Sequence, residues 1–204
     1  MTADATKTHW ERVYREKRPE ETSWHQEEPR VSLELIADSG LALDAPLIDV
    51  GGGASRLVDH LLARGYGDLT VLDISRAALD RVRTRLGQAV ALIESDVTAF
   101  VPGRRYRFWH DRAAFHFLTA ATDRRNYVDA LARALEPGGG LLIAAFAPDG
   151  PVRCSGLEVV RYEAAALEKA VGPEFRLEKT VWEIHLTPQG REQSFGYHFF
   201  RRRG

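Results

Sequence analysis

Asp49, Asp73, Asp96 and the pair His110-Asp111 each stand at or near the end of a short apolar run, and three glycines, Gly51 to Gly53, follow the first of these runs directly. The run Leu47-Ile48-Asp49-Val50 has the length and branching of a buried parallel strand, and the apolar spacing from Ala54 to Leu62 is that of a helix. Strand, glycine turn and helix in that order leave backbone N–H groups open at the head of a helix, because glycine takes positive φ and places no side chain in the way. A polar or anionic ligand is expected on such a turn. Asp73 lies 24 positions after Asp49, near the spacing of about 20 at which a carboxylate meets the two hydroxyls of a ribose. Asp96-Val97 suits the rim of an adenine, the carboxylate accepting from the exocyclic amine and the valine lying beside the ring. The dinucleotide fingerprint itself is not met, since Arg56 stands where its third glycine would be.

Such residues converge only if the ends of several strands are brought side by side. Leu69 to Leu72 reads as a second strand ending at Asp73, Val90 to Ile93 as a third, and Tyr106 to Trp109 as a fourth ending at His110-Asp111. Ala77 to Leu86 and Asn126 to Leu135 have helical periodicity, the second stopped by Pro137-Gly138-Gly139-Gly140, and Leu141 to Phe146 is an almost wholly apolar fifth strand. Tyr162 to Val171 reads as a further helix. Phe175 to Leu186 and Gln193 to Arg202 flank a Thr187-Pro188-Gln189-Gly190 turn, an antiparallel hairpin closing the sheet edge. Strands alternating with helices imply an α/β fold, a Rossmann-like doubly wound, mostly parallel sheet in three αβα layers, with ligands at the carboxyl ends of its strands. Ahead of the first strand, residues 1 to 8 are expected to fray, and His9 to Lys17 puts Trp10, Val13 and Tyr14 on one helical face. Ser32 is a candidate N-cap for a second helix, with Pro29 as an earlier start.

With 204 residues and 44% hydrophobic content the chain suffices for one domain, a helical arm over 1–44 and a core over 45–204. Its 28 basic and 29 acidic residues favour neither nucleic acid nor an anionic membrane. A single cysteine, Cys154, excludes an intramolecular disulfide and a cysteine-rich zinc site and fits a reducing compartment. No run has the length of a signal-peptide core or a membrane span, and a cytoplasmic protein is expected. No metal site is expected, and the sequence leaves the oligomeric state open.

The segments IDVGGGAS, VLDIS, ESDVTAF and LARALEPGGGLLIAAF, within residues 45 to 147, resemble class I S-adenosylmethionine-dependent methyltransferases. The resemblance implies that Gly51 and Gly53 approach the methionine part of S-adenosylmethionine, that Asp49 orients the loop or the ammonium group, that Asp73 with Ile74 binds ribose, and that Asp96 with Val97 binds adenine. Ser55 stands where many members carry a third alternate glycine. A short-chain dehydrogenase is the competitor on this fold, but none of the six tyrosines has the required lysine four positions on.

The opening HWERVYREKRPEETSWHQEEP resembles the thiopurine S-methyltransferase family and related small-thiol methyltransferases, matching at Trp10, Tyr14, Trp24, His25 and Gln26. Asp111-Arg112-Ala113 matches an Asp-Arg-(Gly/Ala) run after that family's fourth strand. By this resemblance the arm closes over the cofactor, with Trp10 and His110 beside it, and the acceptor is a small thiol, sulfide or related chalcogen. Oxygen or nitrogen nucleophiles of a small metabolite or protein side chain are the alternatives, and a non-catalytic nucleotide-binding protein the alternative of another class. Methyl transfer is an in-line displacement that asks for alignment and exclusion of water. Tyr14, Trp24, His25, Phe115, Phe117 and Arg153 are expected around the acceptor. Asp111, Arg112 and His116 are the expected catalytic groups, His116 or Asp111 as base for a harder nucleophile and Arg112 for an anionic acceptor.

Overall fold

A computed structural model describes residues 3–204. Nine strands run in chain order as β1 (Leu47–Val50), β2 (Leu69–Asp73), β3 (Ala91–Glu94), β4 (Tyr106–Arg112), β5 (Leu135–Phe146), β6 (Arg153–Cys154), β7 (Leu157–Glu158), β8 (Phe175–Leu186) and β9 (Glu192–Arg202). Seven form one sheet in the order β3-β2-β1-β4-β5-β9-β8, and β6 with β7 makes a small separate hairpin. The first five are mutually parallel, β9 is antiparallel to β5, and β8 pairs back on β9. The strand order reverses between β1 and β4, so the ends of these two strands flank the crevice where an open α/β sheet binds its ligand.

Helices α2 (Arg30–Asp38), α3 (Leu57–Ala63) and α4 (Arg76–Leu86) cover one face, and α5 (Ala121–Ala134) and α6 (Ala164–Val171) the other. The apolar runs sort by alternation. Leu47, Val71, Phe108, Leu142 and Phe199 pack towards α2, α3 and α4, while Ile48, Leu72, Trp109, Leu141 and Phe200 pack towards α5 and α6. Burial on both faces is why these strands read as continuous apolar segments. Each such side chain contributes about 1.5–3 kcal/mol by leaving water.

Several boundaries differ from the sequence reading. The first helix, α1 (Ala3–Glu16), starts earlier, so residues 3 to 8 are helical; Met1 and Thr2 lie outside the described residues. Ser32 is not an N-cap but a buried residue inside α2, which Pro29 precedes. The glycine run 138–140 does not merely end a helix. It belongs to β5, which begins at Leu135 opposite Tyr106 and shifts register before Phe108 meets Gly140. A Cβ at Gly140 would lie 2.8 Å from the Phe108 ring, so only glycine lets the strand pass there.

Candidate functional site

The carboxyl ends of β1, β2 and β4 open into a cleft with ≈ 770 Å³ of free space, open to solvent on one side. Its floor is Gly51, Asp73, Ile74, Asp96 and Val97, as the strand-end argument requires. Gly51 takes φ +65° and donates its N–H to Leu72 O at 2.7 Å. The glycines also serve the protein's own packing. A Cβ at Gly51 would lie 2.6 Å from that of Ala114, and one at Gly53 would overlap the Tyr14 hydroxyl. Gly53 is not on the cleft wall; its N–H donates to the Asp73 carboxylate.

Asp73 is buried and also accepts from Ser75 N–H at 2.8 Å. Burial pushes its carboxyl up to about 7, with the two backbone donors opposing and Asp49 and Glu11 adding to the rise. Asp96 accepts from the N–H and hydroxyl of Thr98, both at 2.8 Å, which fixes it at the rim. Asp49 and His110 lie together in an adjoining second cavity. Asp49 Oδ1 is 2.7 Å from His110 Nδ1, whose other ring nitrogen meets Ser32 Oγ at 2.9 Å. His110 therefore braces Asp49 rather than lining the main cleft. Asp49 Oδ2 is left buried without a hydrogen-bond partner.

The arm forms the roof. Trp10, Tyr14 and Trp24 line the cleft together with Phe117, and Trp10 meets Phe117 at 5.0 Å and Trp24 at 5.6 Å in edge-to-face contacts. Tyr14 is buried and also reaches the second cavity. His25 faces that second cavity and not the main cleft, 3.7 Å from Glu27.

Arg112 lines both cavities. Its Nε donates to the Tyr197 hydroxyl at 2.8 Å and its Nη1 to Trp24 O at 2.9 Å, while the guanidinium lies 4.6 Å over the Phe195 ring. Its Nη2 is buried without a partner. Ala113 follows at φ +66°, a conformation that costs an L residue about 1–2 kcal/mol and reverses the chain after β4.

Four further residues expected around the acceptor lie off the cleft wall. Asp111 is fully buried and accepts from the N–H groups of Ala114 and Phe115 and from the Tyr127 hydroxyl at 2.8 Å, shaping the loop instead of facing the cleft. Burial pushes its carboxyl up to about 6. Phe115 is core, packed on Tyr127 and Tyr162. His116 is fully buried between Phe117 and Phe146, both ring nitrogens unpartnered, and burial followed by the Arg112 charge pushes it down to about 3. Arg153 is exposed on the β6–β7 hairpin, bonded to Gly156 O. The sequence reading missed Cys154 and Leu118 as wall residues, and Tyr197 and Glu183, which hold Arg112 from the far hairpin. Cys154 is buried, which pushes its thiol up to about 11, and nothing in its local sequence marks it as a wall.

Residues 47–139 match the family described as a methyltransferase domain. No curated protein matches the chain. Among solved structures, a protein studied for the conversion of a disulfide bond into a thioacetal group during echinomycin biosynthesis superposes with TM-score 0.77 at 20% identity, covering 97% of this chain and 93% of that one. A SAM-dependent methyltransferase from Anabaena variabilis has TM-score 0.77 at 15% identity, with 98% and 95% covered. The Burkholderia thailandensis 1,6-didemethyltoxoflavin-N1-methyltransferase, solved with its substrate and S-adenosylhomocysteine, has TM-score 0.74 at 18% identity, with 99% and 89% covered.

Proposed function

We propose that this S-adenosylmethionine-dependent methyltransferase methylates a small-molecule thiol, sulfide or related chalcogen. When bound, the cofactor supplies an electrophilic methyl group on a sulfonium. The residues present fit it: Asp73 faces the cleft as acceptor for the ribose hydroxyls, Asp96 and Val97 edge an adenine site, and Asp49, on the adjoining cavity, has an unpartnered Oδ2 that suits an ammonium. Trp10, Trp24 and Phe117 present aromatic rings to the space between, where they exclude water and favour a cationic sulfur.

The observation that carries the choice of acceptor is the lack of a facing base among the described residues. Away from the Asp73 and Asp96 carboxylates, the described wall includes Tyr14, Trp24, Arg112, Phe117 and Cys154 but no further carboxylate and no imidazole, and neither Asp111 nor His116 reaches it. An alcohol would need its proton removed there, whereas a small thiol is partly ionised near neutral pH and reacts once aligned. The unpartnered Arg112 Nη2 favours such an anion. The aromatic roof of Trp10, Trp24 and Phe117 over the cleft suits a small acceptor. The neighbour linked to disulfide-to-thioacetal conversion also concerns sulfur. A reducing cytoplasm, in which Cys154 stays a free thiol, suits this chemistry.

The test is turnover of S-adenosylmethionine with hydrogen sulfide and a panel of small thiols, with detection of methylated products. S-methyl products at rates above the spontaneous reaction support the assignment. Products from only oxygen or nitrogen nucleophiles would replace it.

A further inference from the structure

The acceptor-side arginine is held by groups remote in sequence. Tyr197 on β9 accepts from Arg112 Nε at 2.8 Å and donates its own hydroxyl to Glu183 Oε2 on β8 at 2.7 Å. Glu183 in turn accepts from the side-chain amide of Gln26 in the arm, at 3.1 and 3.2 Å to its two oxygens. The circuit closes on the arm again, because Arg112 Nη1 donates to Trp24 O. Two neighbouring bonds reinforce it: a His185 ring nitrogen meets Ser23 O at 2.9 Å, and the Gln189 amide donates to Glu21 O at 3.0 Å. Tyr197 is fully buried, and burial pushes its phenol up to about 12, so it remains a donor to the carboxylate across the working range.

We infer that Glu183 and Tyr197 are positioning residues, which couple closure of the arm to the aim of the Arg112 guanidinium. Geometry assigns each part. Arg112 has five N–H donors in a fixed plane, and engaging Nε and Nη1 leaves Nη2 pointing at a single place. The plane is set on one side by Tyr197 and on the other by a backbone carbonyl of the arm. When the arm lifts, the Trp24 carbonyl and the Gln26 amide leave together, and both Arg112 and Glu183 lose a partner. A chain of hydrogen bonds that includes two charges strengthens cooperatively, so its members act as one unit rather than as independent contacts. The C-terminal hairpin thereby reports to the acceptor site whether the roof is closed.

Amide hydrogen exchange over residues 22–26, with and without S-adenosylhomocysteine, tests the coupling without any acceptor. Tyr197→Phe keeps the buried ring and removes only the hydroxyl; half-buried Glu183→Ala is a second variant that leaves the core untouched. Each is expected to speed exchange over residues 22–26 at least fivefold while β5 amides keep wild-type protection. The double variant should be no faster than the single ones, since both cut the same chain. Unchanged exchange in both variants, or fully multiplicative effects in the double variant, would overturn the coupling. The inference uses the functional reading only in its second arm, where the KM for a small thiol is compared between wild type and Arg112→Met. If Arg112→Met keeps the wild-type KM, Arg112 does not attract the acceptor and that part of the functional reading fails. The exchange result over residues 22–26 still decides the relay.

Discussion

Asp73 carries the sharpest prediction, because its carboxyl titrates near neutrality. Ribose hydroxyls donate to the ionised form, so binding favours loss of the proton. Affinity for S-adenosylhomocysteine should then fall as pH drops through about 7, the value to which burial raises this group. Calorimetry should find binding about tenfold weaker at pH 6 than at pH 8. Asp73→Asn should flatten that profile, and Asp73→Ala should cost about 1.5–3 kcal/mol at pH 8. His116 gives a stability test that runs in the same direction with pH. Its ring stays neutral when folded but takes a proton when unfolded, so stability is lost as pH falls below about 6.5, down to about 3. His116→Phe removes two orphaned buried nitrogens and should raise stability by about 1 kcal/mol and soften the acid limb in denaturant titrations, with methyl transfer retained. The cofactor-side acids were legible because a strand end and a glycine turn fix where they point. The residues after β4 were not, because a positive φ at Ala113, an ordinary alanine to the eye, turns Phe115 and His116 away from the cleft.

At the scale of elements, α1 is fastened to α4 by complementary termini. The Glu11 carboxylate accepts from Arg76 and Ala77 N–H at the head of α4, Arg81 donates to Tyr14 and Lys17 carbonyls, and Lys7 pairs with Glu94. Glu11→Ala removes a capping acceptor worth about 1 kcal/mol and should lower the thermal midpoint by about 2–4 °C in calorimetry. Trp24→Ala should leave cofactor affinity within about threefold but reduce turnover at least tenfold, since the edge of the roof is lost while the floor stays. Equal losses in both would mean that the arm binds cofactor and does no more. The elements themselves were largely legible from apolar period, with the ends wrong by a few residues. Early α1 was hidden by its polar first turns, and the strand character of 135–140 by a proline and three glycines, of which the Phe108 and Phe199 rings require Gly140.

Over the whole molecule, a mostly parallel sheet with two apolar faces followed from alternation of strands and helices, whereas the order of its seven strands did not, and no described helix is long and apolar enough to cross a membrane. What no local pattern announced is that the arm and the C-terminal hairpin meet: Gln26 and Glu183 are 157 positions apart, Gln189 and Glu21 168. Closing loops of that length costs entropy before any contact returns it, which makes such pairings late events in folding. The hairpin that holds residues 21–26 follows them far along the chain, so the sheet from β1 to β5 can assemble before those contacts form. In pulse-labelled refolding, amides of residues 22–26 should gain protection together with β8 and after β1 and β2. Until then α1, docked on α4, already covers the cofactor floor, and only the edge of the ceiling at Trp24 stays loose.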